Sequence, residues 1–439
     1  MPFRTVRYFI AVIATAAICN FAGETRRQLT PPELMQIVKT SRDPETRQDA
    51  VKRLAEISES EERNMQVAET FVDILKTTPD PFLGKQLVRT LTQLQVNMSK
   101  RPKTKYIVDF MAILKNSAAV PGIRTEIADN FRQTLDKDEL KDKDAFVLLK
   151  AIAQSKTEPN VSLRARCIEA IGGFGDPDNI AMLCELLTDK DDLVKEAAAN
   201  ALTTLLDRAP VNGKSISMAA ANKIVEMVND DKLAPTVRIK VIRADAQMMA
   251  CDPPVPGANR GLETIIKLAK TAADDNLVLT CIEALGIIGS SQAADPLIAT
   301  YNDFFNKANM MNEKDVPIRR AVVRALRSVL TAQDRKMNAE MPTVHKVAEL
   351  LVSVLDNDPA VNVKSSAVYA IGYMYPKKFA ADQKEATFAL VFLLEKRDTD
   401  ASLKGMIPDT LEAITGVNFG LDAERWKGWL QTKYPGARP

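Results

Sequence analysis

Histidine is almost missing from this 439-residue chain: His345 stands alone, alongside five cysteines. Metal sites are built mostly from clustered His and Cys, and base-assisted nucleophiles need an imidazole close by, so both chemistries are short of raw material here. Aromatic residues make up only 5% of the chain and glycine 17 positions, and no stretch is rich in Ser, Gly or Gln, which leaves no flexible linker between domains. Charge of one sign is lacking as well. Fifty-nine Lys and Arg stand against 57 Asp and Glu, a formal net charge of +2, so no global field gathers nucleic acid or anionic lipid on the surface. The longest apolar run, Tyr8 to Ile18, is about eleven residues against the roughly 20 a membrane-spanning helix needs, which excludes an integral multi-span protein.

The context of that short run is informative. Arg4 and Arg7 precede it and no acidic residue occurs before Glu24, the charge-then-apolar layout of a secretory signal. Residues 1–22 therefore read as a signal-like segment and predict an exported, periplasmic or cell-envelope protein. Three fates stay open. Ala14-Thr15-Ala16 offers small residues to an ordinary signal peptidase. Cys19 is a candidate for lipidation, although Ile18 stands where a lipoprotein signal has a small residue, and the segment can also remain uncleaved. Membrane association is expected only through such an anchor. Disulfides do not follow from export, because the four cysteines other than Cys19 show no short paired spacing.

What the chain has in abundance is a repeat. Starting from a basic or small residue, apolar side chains recur at +3 and +4, a small one at +6 and an apolar one at +7, a stripe that a 3.6-residue period places on one helical face. The clearest copy is Arg164, Cys167, Ile168, Ala170, Ile171; Arg319, Val322, Val323, Ala325, Leu326 is another. The anchor residues are Arg47, Gly84, Arg124, Arg164, Lys195, Arg238, Val278, Arg319, Lys364 and Lys404, at a spacing of about 40. A second apolar helix falls between anchors, for example Ile180 to Leu187, and breakers such as Asp43-Pro44, Gly175-Asp176-Pro177-Asp178 and Asp358-Pro359 mark the turns. Each unit is thus a helical hairpin too small to bury its own apolar face, and the expected fold is all-α, an α/α superhelical solenoid of about ten stacked hairpins. Gly84 and Val278 depart from the basic anchor, Asp245 occupies an apolar +7 position and Pro408 a +4 position, marking irregular units.

The run Leu163-Arg164-Ala165-Arg166-Cys167-Ile168-Glu169-Ala170-Ile171-Gly172-Gly173-Phe174-Gly175-Asp176-Pro177, with Val194 to Leu202 after it, resembles lyase-type HEAT repeats. Leu277 to Gly289 and Val363 to Gly372 look like further copies. The solenoid is assigned to 31–416. Residues 417–439, with Asp422 as a helix cap and Trp426 and Trp429 on one face, form a capping helix and tail similar to the ends of exported bacterial HEAT-repeat proteins. The resemblance implies a bacterial envelope setting and a protein-binding role. Its lyase name supplies only an alternative, a subunit of, or itself, an enzyme acting on a pigment or modified protein; no His-Glu dipeptide of the HEAT-type iron hydroxylases is present.

Side chains with chemistry to offer are few. Cys167, Cys184 and Cys281 fall on apolar positions and read as core, leaving Cys251 as the one candidate reactive thiol. His345 reads as a solvated surface residue, and Gly172-Gly173-Phe174-Gly175 as a helix C-cap rather than a phosphate loop. The stretch Tyr301 to Asp315, with Phe304, Phe305, Met310 and Met311, reads as local core or as an apolar binding surface. No catalytic, metal or cofactor residue is assigned. In HEAT solenoids the anchor helices line the concave side, and their outward +5 residues form a candidate partner-binding row: Lys52, Arg89, Asp129, Glu169, Asn200, Arg243, Glu283, Arg324, Tyr369 and Asp409. Their mixed signs favour a protein or peptide over a phosphate backbone. The expected function is a non-catalytic scaffold or adaptor.

Overall fold

The computed structural model describes residues 29–57, 61–97, 103–135, 140–208, 216–251, 253–307, 313–335, 341–374 and 383–435. The signal-like segment and Cys19 lie outside these residues. The described residues contain twenty-one α-helices and no strand. They divide into two compact units, Met1–Thr134 and Leu135–Pro439.

In the first unit α1 (Pro31–Thr40) pairs with α2 (Pro44–Glu56), α3 (Glu61–Thr77) with α4 (Pro81–Asn97), and α5 (Lys103–Lys115) with α6 (Pro121–Thr134). The second unit opens with α7 (Leu140–Gln154) on α8 (Val161–Phe174) and α9 (Ile180–Leu186) on α10 (Asp192–Arg208). Next come α11 (Met218–Asn229) on α12 (Pro235–Ala250) and α13 (Leu262–Thr271) on α14 (Asp275–Ile288). It continues with α15 (Ala294–Lys307) on α16 (Val316–Arg335), α17 (Met341–Asn357) on α18 (Val361–Met374) and α19 (Gln383–Glu395) on α20 (Ala401–Thr415). The last helix, α21 (Ala423–Lys433), packs on α19. Each even-numbered helix up to α20 carries one anchor residue, so the period read from the sequence corresponds to ten hairpins. The architecture is an all-α solenoid.

Local chemistry sets the helix starts. Pro44 stands at the first turn of α2, where its missing N–H costs nothing, and the Thr46 N–H donates to Asp43 Oδ2 at 2.9 Å. Asn160 and Asp422 cap α8 and α21 in the same way. The apolar stripe then packs the hairpins together: Cys167, Ile168, Ala170 and Ile171 of α8 are all at most 3% exposed.

The basic anchors have a backbone role. Arg47 Nε donates to the Val38 carbonyl at 3.3 Å, Arg124 to Leu114 at 3.0 Å, Arg164 to Ala153 at 3.2 Å and Arg238 to Val228 at 3.2 Å. Every one of these carbonyls lies in the last turn of the helix before the anchor, where no intrahelical N–H remains to satisfy it. The cation also meets the negative end of that helix. Each of these arginines therefore locks its hairpin shut. Arg164, and the anchor Arg319 of a later repeat, each engage the acidic residue six positions before the next anchor. Arg164 grips Asp189 at 2.6 and 3.4 Å, and Arg319 grips Asp358 at 2.9 and 3.3 Å. Burial is the largest single influence on Asp189 and opposes its ionisation, but the Arg164 guanidinium, the Asp191 N–H and the charge of Lys190 together outweigh it and hold the carboxyl below its usual range.

In three repeats the +8 residue is a glycine, Gly172, Gly286 and Gly372. A Cβ on Gly172 would lie 2.5 Å from the Cα of Ala201, and one on Gly286 3.0 Å from the Cα of Ala325, because α8 and α10, like α14 and α16, approach backbone to backbone. Of the expected C-cap run, Gly175, at φ 75°, is the cap, whereas Gly172 sits inside the helix and admits the neighbouring repeat. Gly172→Val should lower the unfolding free energy by about 1–3 kcal/mol through overpacking. Gly405→Ala in α20, where an added Cβ meets nothing within 4 Å, should instead raise it by about 0.5–1 kcal/mol. Thermal unfolding of both variants measures the contrast. Pro408 does not end α20, which runs unbroken from Ala401 to Thr415.

Candidate functional site

Within each unit the +5 side chains emerge from the even-numbered helices as a row. From Arg89 to Tyr369 each is flanked by buried +4 and +6 residues, so the row points away from the interhelical core. Lys52, Arg89, Arg243, Glu283, Arg324, Tyr369 and Asp409 are exposed, and Asp129, Glu169 and Asn200 half-buried. Much of the charge is neutralised locally. Arg89 meets Glu126 at 2.7 Å, which raises its already high pKa, and Asp129 accepts from Arg132 at 2.9 Å. Glu169 accepts from Arg166 at 2.7 Å. Arg243 and Glu283 pair with each other across α12 and α14 at 3.1 Å. Lys52, Asn200, Arg324 and Asp409 have no side-chain hydrogen bond or ion pair among the described residues.

The row passes through a denser patch on α16 and α18 that sampling of +5 positions misses. Arg320, Arg324 and Arg327 stand at +1, +5 and +8 of α16, a spacing that puts all three on one face. Arg320 and Arg324 are exposed and Arg327 half-buried, with its guanidinium 4.6 Å over the Tyr369 ring. Tyr369 is 61% and Tyr373, one turn along α18, 44% exposed. The i, i+4, i+7 arginine pattern was visible in the sequence once +1, +5 and +8 were taken together.

The reactive-residue candidates resolve differently. Cys167, Cys184 and Cys281 are buried and in no disulfide among the described residues, and burial pushes Cys184 and Cys281 up to about 12. Cys251 is half-buried and its Sγ–H donates to the Gln247 carbonyl at 3.3 Å; burial raises its pKa too, the reverse of what a reactive thiolate needs. His345 lies on the surface of α17 with Nε2 3.2 Å from Glu349 Oε1 one turn on. No group of three or more His, Cys, Asp and Glu able to hold a metal occurs among the described residues. No helix among them is long and apolar enough to cross a membrane.

Trp426 is fully buried, its Nε1–H donating to the Gly420 carbonyl at 3.0 Å and its ring edge-on to Phe419 at 4.9 Å and Trp429 at 6.1 Å. Tyr301 is buried and stacked on the half-buried Phe305 at 5.8 Å, its hydroxyl donating to Asp358 at 2.7 Å, while Met310 and Met311 lie outside the described residues. Asp245 is the unusual carboxylate: it is fully buried, neither oxygen meets a donor among the described residues, and desolvation pushes its pKa to about 8. It faces Gly261, where an added Cβ would collide with Oδ2.

The family model for HEAT repeats matches residues 147–244. No curated protein matches the sequence. Among solved structures the chain is similar to a Kap121p mutant at 13% identity and TM-score 0.53, covering 89% of this chain. It is also similar to importin beta at 12% identity and TM-score 0.50, covering 99% of this chain. It spans 46% of the length of the former and 62% of the latter. At such identities the likeness is one of fold. The chain is an all-α solenoid of helical hairpins, and residues 147–244 match the HEAT-repeat family.

Proposed function

We propose that the chain is a non-catalytic scaffold or adaptor that holds one protein or peptide partner along the exposed face of its anchor helices, in a bacterial envelope compartment. The observation that carries this reading is the row itself. Within each unit its side chains stand on helices packed into a buried core, are mixed in sign, and include arginine and tyrosine at the patch on α16 and α18. Repeat solenoids use such extended faces for binding. In the second unit α8 and α10, and α14 and α16, approach each other backbone to backbone at Gly172 and Gly286. The charge-then-apolar start supports export.

The protein expressed with its native start, fractionated and weighed intact, tests the location. A mature mass beginning just after Ala16, or lipidated at Cys19, is the expected result, and an uncleaved cytoplasmic product overturns it. Crosslinking in the compartment that holds it should then recover a protein partner; recovery no better than background would overturn the scaffold reading.

A further inference from the structure

Deepening the scaffold reading and resting on it, we infer that the patch on α16 and α18 is the docking site for a short acidic segment of a partner protein. Three guanidiniums, Arg320, Arg324 and Arg327, share one face, and none forms an ion pair among the described residues. That sets them apart from Arg89 and Arg243, which are neutralised by neighbouring repeats. A guanidinium presents a planar fork that matches carboxylates two bonds at a time. Beside this ladder Tyr369 and Tyr373 offer two exposed rings a turn apart, and Arg327 already stacks on the first. Arginine and tyrosine are the residue types that dominate interface energetics.

The size of the patch defines the occupant. From Arg320 to Arg327 the helix rises about 10 Å, the length of about three residues of extended chain. Across the stack, on the anchor helices to either side of α16 and α18, the charge reverses. Glu283 lies on α14 to one side and is engaged by Arg243, and Asp409 and Glu412 lie on α20 to the other. A long polyanion such as a nucleic acid would run from the arginines onto these carboxylates. A peptide with two or three adjacent acidic residues next to an apolar or aromatic one fits inside the boundary, its carboxylates on the ladder and its apolar side chain on the tyrosines.

The full-length protein, titrated by fluorescence anisotropy, tests the site. The probes are rhodamine-labelled twelve-residue peptides carrying three consecutive Asp or Glu beside Leu or Tyr, their counterparts with Lys in place of every acid, and a mixed-sequence twelve-nucleotide single strand. The acidic peptides should bind at least about tenfold tighter than the lysine ones. Charge reversal at Arg324→Glu with Arg327→Glu should remove at least about tenfold of that affinity, and Tyr369→Ala several-fold, whereas Lys115→Glu on α5, exposed and outside the row, should change nothing. Arg324→Ala is the milder variant should the double reversal perturb folding, which circular dichroism detects. Equal binding of acidic and lysine peptides, binding untouched by Arg324→Ala or the reversal, or tighter binding of the oligonucleotide would each overturn the site. A crosslinked partner that survives the reversal would sink this site and leave the scaffold reading standing, whereas a partner lost on reversal supports both.

Discussion

Asp358→Ala should cost about 3–5 kcal/mol of unfolding free energy. Arg319 is 1% exposed and Asp358 0%, so the guanidinium left behind has neither water nor a counter-charge. Asp358 also accepts the Tyr301 hydroxyl at 2.7 Å and the Ala360 N–H at 2.9 Å, so three donors from three segments lose one acceptor together. Burial, and then the bond to Asp358, push the Tyr301 pKa up, and the phenol stays neutral through the loss. The cost belongs to breaking the pair. Arg319→Met combined with Asp358→Leu, which removes both charges, should be several-fold milder than Asp358→Ala alone. Urea unfolding followed by circular dichroism reads both, and a loss under about 1 kcal/mol for Asp358→Ala would mean that the buried pair adds little beyond packing.

Raising the pH from 5 to 8 should weaken the wild-type protein more than its Asp245→Asn variant, by up to about 1.4 kcal/mol for each pH unit. Desolvation lifts the folded-state pKa of Asp245 from 3.8 to about 8, so between those values the folded chain keeps a proton that the unfolded chain has released. Stability attributable to this group is therefore complete below pH 3.8, declines as pH rises and levels off above pH 8. The asparagine amide does not titrate, so the difference between the two chains isolates the carboxyl from every other titrating group. Parallel pH profiles would show that Asp245 finds a donor or water in the folded protein.

The hairpins were legible because burial imposes a 3.6-residue stripe that only side-chain type has to satisfy, and Cys167, Ile168, Ala170 and Ile171 display it openly. Why the anchor is basic was not. The acceptor of Arg124 or Arg238 is a backbone carbonyl about ten residues upstream, and a carbonyl leaves no mark on residue identity. Asp245 read as a mere irregularity, since its isolation depends on Gly261 closing over it from the next hairpin. At the candidate site one position per helix was sampled. That found Arg324 and Tyr369 but passed over Arg320, Arg327 and Tyr373, whose shared exposure depends on which sides of α16 and α18 their neighbours cover.

The two Arg–Asp bridges also make the second unit mechanically uneven. In a stack where each hairpin touches only its neighbours, resistance to bending is set joint by joint. Arg164–Asp189 stiffens the joint between α8 and α10, and Arg319–Asp358 that between α16 and α18, each with a charge pair sheltered from water. The joints between α10 and α12 and between α12 and α14 are crossed by Lys240–Glu196 and Arg243–Glu283, pairs open to solvent that contribute roughly 0–1 kcal/mol each. Under tension or on clasping a partner, the joints without a sheltered pair should give before these two, while the arginines and tyrosines of α16 and α18 keep their spacing. The compliance lies outside the patch, so a ligand held there would meet a surface that does not have to be rebuilt each time the solenoid flexes.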